Sequence, residues 1–341
     1  MKVFVCGGGT GGHFFSGVAI AEEFLLRNPQ AEIVFVGTRA GIEARAKLDD
    51  PRMRKLFIPA RGFKRRGLQA QLIAAGYLVG GLLMSLFFLI RERPMMVVGV
   101  GGYASFPTVF SAMLLRWLFR WKVVVVDQNS SPGLANKVLS KMPLLAYCGF
   151  PAKGFQLVNL PIRLRFKEMA SQAEAFRWPP ERILIVGGSQ GARGLNQRWR
   201  LILPFLKESG VKVRIAHQTG LADEASMREI YQELGFEAEV FAFSDRLQDY
   251  FARADLLICR SGAMTVFEVL SFKRPCVFVP FPGAADDHQR LNALSVQQSS
   301  WVVNESEFTW ARFEPLLRST QPMIPHRQSD SVVSWDEIFR L

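Results

Sequence analysis

The sequence predicts an α/β protein of two Rossmann-like domains, each a parallel sheet covered by helices, facing each other across a cleft. Three observations carry this expectation. Short apolar runs alternate with helical patterns along the whole chain. The same strand–glycine loop–helix device occurs twice, once near the start of each half. A helix-breaking stretch, Arg177-Trp178-Pro179-Pro180, precedes the second set of runs. A length of 341 residues, 49% of them hydrophobic, suits two such domains with ample core.

The apolar runs of the first half lie at 3–6, 33–36, 96–98 and 123–126. Those of the second lie at 183–186, 211–215, 240–243, 256–259 and 276–279. They are continuous rather than alternating, as expected for strands buried on both faces. The first strand leads into Gly7-Gly8-Gly9-Thr10-Gly11-Gly12-His13, and the run at 183–186 into Gly187-Gly188-Ser189-Gln190-Gly191-Ala192-Arg193. A further pair, Gly101-Gly102, follows the strand at 96–98. Ligands are expected at the C-terminal strand ends, and the domain boundary between 160 and 180.

Composition narrows the function classes. The net charge of +12 is uneven: residues 1–150 carry 19 basic and 8 acidic side chains, and 151–341 carry 23 and 22. The excess in the first half calls for an anionic partner: nucleic acid, membrane surface or phosphorylated substrate. No basic aromatic RNA-binding motif or zinc finger is present, which speaks against nucleic acid. Cys6, Cys148, Cys259 and Cys276 form no CxxC pair and fit reduced core thiols of a cytosolic protein. The four scattered histidines give a metal cage no support. No signal peptide is visible, because the first apolar stretch runs directly into glycines.

A glycine loop between strand and helix lets backbone amides approach an oxyanion, and the helix N-terminus adds positive potential. Neither loop is a GxxxxGK[ST] phosphate loop or a good GxGxxG fingerprint. Tight packing alone would also use such turns. His13 stands at a helix N-terminus, where the dipole favours the neutral imidazole; base and orienter are both open to it. Ser261 to Glu268 follows another strand and is expected to start a helix whose first amides hold a hydroxyl or phosphate. A carboxylate in that first turn, Glu268, could accept two vicinal ribose hydroxyls or serve as an ordinary N-terminal charge. Asp286 to Asn292 begins a further helix and offers more donors and acceptors.

Residues 72–90 contain no charge across 19 positions. That length would just span a bilayer. It also falls where a Rossmann domain needs a crossover helix, and a span would split the sheet. The preferred reading is a helix packed by one face, with an apolar outer face lying at an anionic membrane surface. A buried core helix is the plainer alternative. Arg61, Lys64, Arg65 and Arg66 precede the run, and Arg91 and Arg93 follow it. Leu82, Leu83, Leu86 and Phe87 are the expected apolar contacts. The segment 108–121, with Trp117, Phe119 and Trp121 beside Arg116 and Arg120, is expected to add to the surface.

GGGTGGHFFSG, GGYASFP, DQNSSPGLANK, GGSQGARGLN, CRSGAMTVFE and PFPGAADDHQRLNA occur in this order and spacing. Together they resemble the MurG family of peptidoglycan glycosyltransferases over about residues 1–300. The resemblance implies a GT-B fold and an inverting hexosyltransferase that needs neither metal nor cofactor. It implies transfer of N-acetylglucosamine from UDP-GlcNAc to the muramyl C4 hydroxyl of lipid I, giving lipid II. It also implies a peripheral location on the cytoplasmic face of the inner membrane. Residues 1–163, with a helix near 330–341 crossing back, would form the acceptor and membrane-facing domain. Residues 164–329 would form the donor domain.

The resemblance also carries over roles. Thr10, Gly11, Gly12 and His13 would face donor and acceptor near the reaction centre, with His13 the candidate base. Gly102, Tyr103 and Ser105 would hold the acceptor diphosphate. Asn129 would lie near the donor sugar and Arg163 near the donor phosphates. Ser189, Gln190 and Gly191 resemble the donor-phosphate loop, and Phe243 and Ser244 the uracil contacts. Ala263, Met264 and Thr265 would offer amides to the donor, Glu268 would take the ribose hydroxyls and Gln289 the sugar hydroxyls.

The chain departs from the family pattern in places. Ser16 stands where Pro is usual. HEQN is replaced by Val126-Asp127-Gln128-Asn129, and GNPVR by Asn159-Leu160-Pro161-Ile162-Arg163. The chain past Trp301 matches poorly. A transferase acting on another lipid, such as diacylglycerol, and a non-catalytic UDP-sugar-binding protein at a membrane are the alternatives.

Overall fold

The computed structural model describes residues 1–62, 68–142, 145–188, 191–326 and 332–340. The chain divides into two compact units, Met1–Leu164 with Asp330–Leu341, and Arg165–Ser329.

In chain order the first unit contains β1 (Lys2–Cys6), α1 (Gly11–Arg27), β2 (Glu32–Gly37), α2 (Ile42–Arg45), β3 (Met53–Phe57) and α3 (Leu68–Glu92). There follow β4 (Met96–Gly99), α4 (Phe106–Phe119), β5 (Lys122–Asp127), α5 (Leu134–Leu139), β6 (Leu145–Cys148) and β7 (Gln156–Leu157). All seven strands are parallel, in the order β3-β2-β1-β4-β5-β6-β7. The central strand pairs Cys6 with Val36 on one side and with Gly99 on the other. The chain winds outward from β1 through β2 and β3, then returns to β4 on β1's other flank. The loops after β1 and β4 therefore leave on opposite faces and open a crevice at the switch point.

The second unit repeats the plan. After α6 (Leu164–Ser171) come β8 (Arg182–Val186), α7 (Arg193–Glu208), β9 (Arg214–Gln218), α8 (Glu224–Glu233), β10 (Glu237–Phe241) and α9 (Leu247–Arg253). These are followed by β11 (Leu256–Cys259), α10 (Ala263–Phe272), β12 (Cys276–Phe278), α11 (His288–Leu294), β13 (Trp301–Val302) and α12 (Trp310–Leu317). The order β10-β9-β8-β11-β12-β13 puts its switch point between β8 and β11. The last helix, α13 (Trp335–Phe339), packs on the first unit. Trp335 donates its indole N–H to the Asn159 carbonyl at 2.6 Å, and the Phe339 ring meets Phe24 at 4.9 Å.

Two strands lie about three residues from their expected positions. β9 runs over Arg214–Gln218 rather than 211–215, and β10 over Glu237–Phe241 rather than 240–243. β9 ends on His217 and Gln218, polar residues that are buried. His217 is satisfied on both ring nitrogens. Trp199 donates to the Tyr231 hydroxyl at 2.7 Å, and Tyr231 meets His217 Nδ1 at 3.0 Å. His217 Nε2 meets Asn196 Oδ1 at 3.1 Å, and Asn196 donates onward to the Thr219 carbonyl and Asp223. Because the tyrosine oxygen already accepts, its O–H donates to Nδ1, and the ring proton sits on Nε2. Burial pushes the pKa of this imidazole down to about 3, so it stays neutral. β10 is an edge strand that alternates exposed Glu237 and Glu239 with inward residues, so no continuous run marks it. β3, β6, β7 and β13 match none of the apolar runs: β3 is an edge strand with charged residues, β7 and β13 are two-residue edge strands, and β6 is four residues long with an exposed start.

All four cysteines are buried thiols outside any disulfide, and burial pushes the Cys6 and Cys276 thiols up.

Helix α3 is the crossover between β3 and β4, two strands of one sheet. Ala74, Gly81, Ser85 and Leu89 form its inward face. A Cβ on Gly81 would lie 2.5 Å from the Pro59 carbonyl oxygen, so the helix could not approach this closely with any larger residue. Ser85 and Thr108 join α3 to α4 through a buried hydroxyl pair at 3.0 Å. The outer face carries Leu72, Ile73, Tyr77, Val79, Leu83, Met84, Phe87 and Ile90, all exposed. Leu83 is 64% exposed and Phe87 56%, whereas Leu82 and Leu86 are half-buried. Arg65 and Arg66 lie outside the described residues. On α4, Leu114, Trp117 and Leu118 extend the exposed apolar surface, with Trp117 at 81%. Trp121 does not: it is buried in the core and stacks on Phe119 at 4.6 Å.

Candidate active site

The first unit gathers three loops at the C-terminal ends of β1, β4 and β5. The first holds Gly7 to Thr10 and feeds α1. Gly8 and Gly9 have φ of 144° and 83°, a region that disfavours side chains. A Cβ on Gly8 would stand 2.4 Å from the Glu43 carboxyl carbon, and one on Gly9 2.7 Å from the Tyr103 ring. Glu43, in α2, is fully buried behind this loop. Its carboxylate accepts from the Gly9 amide at 2.9 Å, the Thr38 amide at 2.8 Å and the Thr38 hydroxyl at 2.9 Å. The Gly9 amide is thus already engaged, and a carboxylate sits behind the turn. The first loop is therefore a poor phosphate nest and better suited to face a hydroxyl. Thr10 caps α1, and the first helical bond runs from the Phe14 amide to the Thr10 carbonyl. The amides of Gly11, Gly12 and His13 precede it in the first turn, where no carbonyl of the helix can reach them.

His13 is half-buried, with its ring lying along the backbone of the second loop. A Cβ on Gly102 would stand 2.9 Å from His13 Cδ2, and one on Gly101 3.3 Å from Cε1. The side-chain nitrogen of Gln128, from the end of β5, is in hydrogen-bond contact with His13 Nδ1. In the second loop, Ser105 is buried and returns its hydroxyl and amide to the Gly102 carbonyl, both at 3.2 Å.

The third loop is organised by Asp127, which is fully buried. Its carboxylate accepts from the Asn129 amide at 3.0 Å, the Gly133 amide at 2.9 Å and the Asn136 side chain at 2.8 Å. Asp127 thus braces the turn that carries Asn129. Arg163 lies over the Phe15 ring at 5.0 Å. The altered segment before it is pinned by its apolar residues: Leu160 and Ile162 are buried, and Leu160 fills the space that a side chain on Gly149 would need. The next residue, Leu164, donates its amide to Glu22 at 2.6 Å.

In the second unit the loop after β8 contains Gly187, Gly188 and Gly191; Ser189 and Gln190 lie outside the described residues. A Cβ on Gly191, at φ 77°, would stand 2.1 Å from the Thr219 carbonyl oxygen. After β11, Ala263, Met264 and Thr265 open α10, whose first helical bond runs from the Val266 amide to the Gly262 carbonyl. Their amides point out of the helix start. Glu268 is the sixth helical residue, in the second turn rather than the expected first, and it is buried. A simple dipole role is weakened there, since the effect fades beyond the first turn. Gln289 accepts the Phe281 amide at 3.0 Å, and its own carbonyl takes the Ser261 hydroxyl at 2.8 Å. Phe243, 60% exposed, and Ser244 follow the edge strand β10.

The structure thus brings Thr10, Gly11, Gly12, His13, Gly102, Tyr103, Ser105 and Asn129 to the switch-point end of one sheet. It brings Gly191, Ala263, Met264 and Thr265 to that of the other. Glu43, Asp127 and Gln128 are the residues that sequence reasoning missed. The one signal for Glu43 was a carboxylate two residues beyond Gly41, after Gly37-Thr38.

Comparisons with known proteins bear on the fold and the family. Residues 3–147 match the model of the glycosyltransferase family 28 N-terminal domain, and residues 182–331 that of its C-terminal domain. The two matched domains define a two-domain glycosyltransferase. The chain is 38% identical over 329 residues to the UDP-N-acetylglucosamine--N-acetylmuramyl-(pentapeptide) pyrophosphoryl-undecaprenol N-acetylglucosamine transferase of Myxococcus xanthus, covering 93% of this chain and 84% of the relative. It is 41% identical over 329 residues to the enzyme of that name from Citrifermentans bemidjiense, covering 92% and 88%. The crystal structure of Acinetobacter baumannii MurG superposes with a TM-score of 0.71 at 28% identity, covering 93% and 90%. The UDP-GlcNAc 2-epimerase of Neisseria meningitidis shares the fold alone, with a TM-score of 0.57 at 10% identity over 93% and 91%. The chain belongs to the MurG family of N-acetylglucosamine transferases.

Proposed function

We propose that the chain transfers N-acetylglucosamine from UDP-GlcNAc to the muramyl C4 hydroxyl of lipid I, giving lipid II for peptidoglycan. The observation that carries this reading is the family membership over nine-tenths of the chain. The reaction inverts the anomeric carbon: the C4 oxygen bonds to C1, the C1–phosphate bond breaks, and UDP leaves with the electron pair. The hydroxyl proton goes to a base, for which His13 is the candidate. Charge on the departing diphosphate is met by the amides at the start of α10, the loop Ser189-Gln190-Gly191, and Arg163. No metal or cofactor is invoked. Asn129 and Gln289 meet the donor sugar, Glu268 the ribose, and Phe243 with Ser244 the uracil. Gly102, Tyr103 and Ser105 meet the acceptor diphosphate.

Purified protein given labelled UDP-GlcNAc and a lipid I analogue is expected to form lipid II. Label appearing in a diacylglycerol product instead would favour the other-lipid reading.

The partner surface is the anionic cytoplasmic face of the membrane, held peripherally and without nucleic acid. Residues 71–92 are long and apolar enough to cross a bilayer, with mean hydropathy 2.2 over their most apolar 18 residues. However, α3 joins two strands of one sheet, and a span would separate them. Its exposed face suits insertion along the surface instead. The double variant Leu83→Ser/Phe87→Ser removes about 3 kcal/mol of apolar transfer energy. Co-sedimentation with anionic vesicles should weaken at least tenfold, by about 1.4 kcal/mol or more. Unchanged binding of the folded variant would contradict this surface.

A further inference from the structure

Gln128 is 3% exposed, and its two polar ends are unequal. Its side-chain nitrogen contacts His13 Nδ1, while Oε1 is buried with no hydrogen-bond partner among the described residues. An amide nitrogen only donates, so Nδ1 must accept, and the imidazole proton sits on Nε2. In that tautomer Nε2 is a donor and cannot take a proton from a hydroxyl. A half-turn of the amide fills the same space with oxygen and nitrogen exchanged. Oε1 then faces Nδ1, which must carry the proton, and Nε2 presents its lone pair. One end of the amide lacks a partner in either orientation, so pairing alone does not lock it.

We propose that Gln128 is a positioning residue that sets the tautomer of His13. The observed orientation is the resting, donor form, and transfer uses the rotated amide. The acceptor hydroxyl proton then moves to Nε2 as the C4 oxygen bonds to C1 and UDP departs with its electron pair. Oε1 holds Nδ1–H against the imidazolium that results. This rests on the base role of His13 proposed above.

The test compares wild-type protein with Gln128→Glu and Gln128→Met. Glutamate can only accept when ionised, while methionine keeps the volume and removes both polar ends. Nitrogen-15 NMR of the four histidines, with His13 assigned from a His13→Gln sample, reads the tautomer directly. Substrate-free wild type is expected as Nε2–H and Gln128→Glu as Nδ1–H. At about pH 8.5, above the ordinary imidazole range, Gln128→Glu should keep kcat within about threefold. Gln128→Met should lose about tenfold or more, with KM for UDP-GlcNAc unchanged. If Gln128→Glu falls as far as Gln128→Met, the donor end of the amide matters and the inference is overturned. It is equally overturned if Gln128→Met keeps wild-type kcat, or if the wild-type signal is Nδ1–H. In each of those cases wild-type transfer persists and the transferase reading stands. Absence of wild-type transfer would remove both.

Discussion

Replacing His13 with alanine is expected to lower kcat for transfer to a lipid I analogue by about 100-fold or more, the usual worth of a positioned general base. The expectation follows from where the ring sits. It stands at the start of α1, against the Gly101-Gly102 backbone, and is held at Nδ1 by Gln128. The loop that presents it faces a hydroxyl better than a phosphate, because Glu43 already takes the Gly9 amide. Donor affinity should change little, since the residues assigned to the diphosphate and nucleoside lie mainly in the second unit. The split between kcat and the KM for UDP-GlcNAc is therefore the reading that matters. A loss below tenfold in kcat would show that another group takes the proton.

The second large effect is structural. Glu43→Ala should destabilise the first unit by about 3–5 kcal/mol, measured as its own transition in urea. Two buried donors, the Thr38 amide and hydroxyl, and the half-buried Gly9 amide would lose their acceptor, at about 1–3 kcal/mol for each buried one before relaxation. The space that Gly8, Gly37 and Gly41 keep open for the carboxylate would also be left empty. Glu43→Gln keeps the shape but turns an N–H toward a donor, so a smaller loss of about 1–3 kcal/mol is expected. Transfer should fall with loop order even where the variant remains folded. A Glu43→Ala transition within about 1 kcal/mol of wild type would show that the loop holds itself.

Some of this was legible in the sequence because the physics leaves local marks. β1, β4, β5, β8 and β11 are buried on both faces and read as continuous apolar runs. The glycine loops announce themselves because no other residue fits beside Glu43, Tyr103 or Thr219. The outer face of α3 was legible as a helix with nothing polar to meet water. The rest depends on contacts between distant positions. Glu43 is 34 residues from Gly9, and Gln128 is 115 from His13, so neither pairing leaves a local pattern. β9 ends on His217 and Gln218, whose burial makes sense only once Tyr231 and Asn196 are in place. Trp121 looked like a surface aromatic beside Arg120, and it is core because β5 begins at the next residue. Asp127 appeared only as a departure from HEQN, and its role as a brace needed Gly133 and Asn136 beside it.

The central claim is the identity of the acceptor, and the most direct measurement is the acceptor dependence of label transfer. Purified protein would be given labelled UDP-GlcNAc with a lipid I analogue or diacylglycerol, in matched detergent. The account predicts label in the lipid I product, with kcat/KM at least about 100-fold above that for diacylglycerol, a margin of about 2.7 kcal/mol in transition-state binding. UDP-GlcNAc binding without transfer to lipid I, or preferential transfer to diacylglycerol, would contradict it.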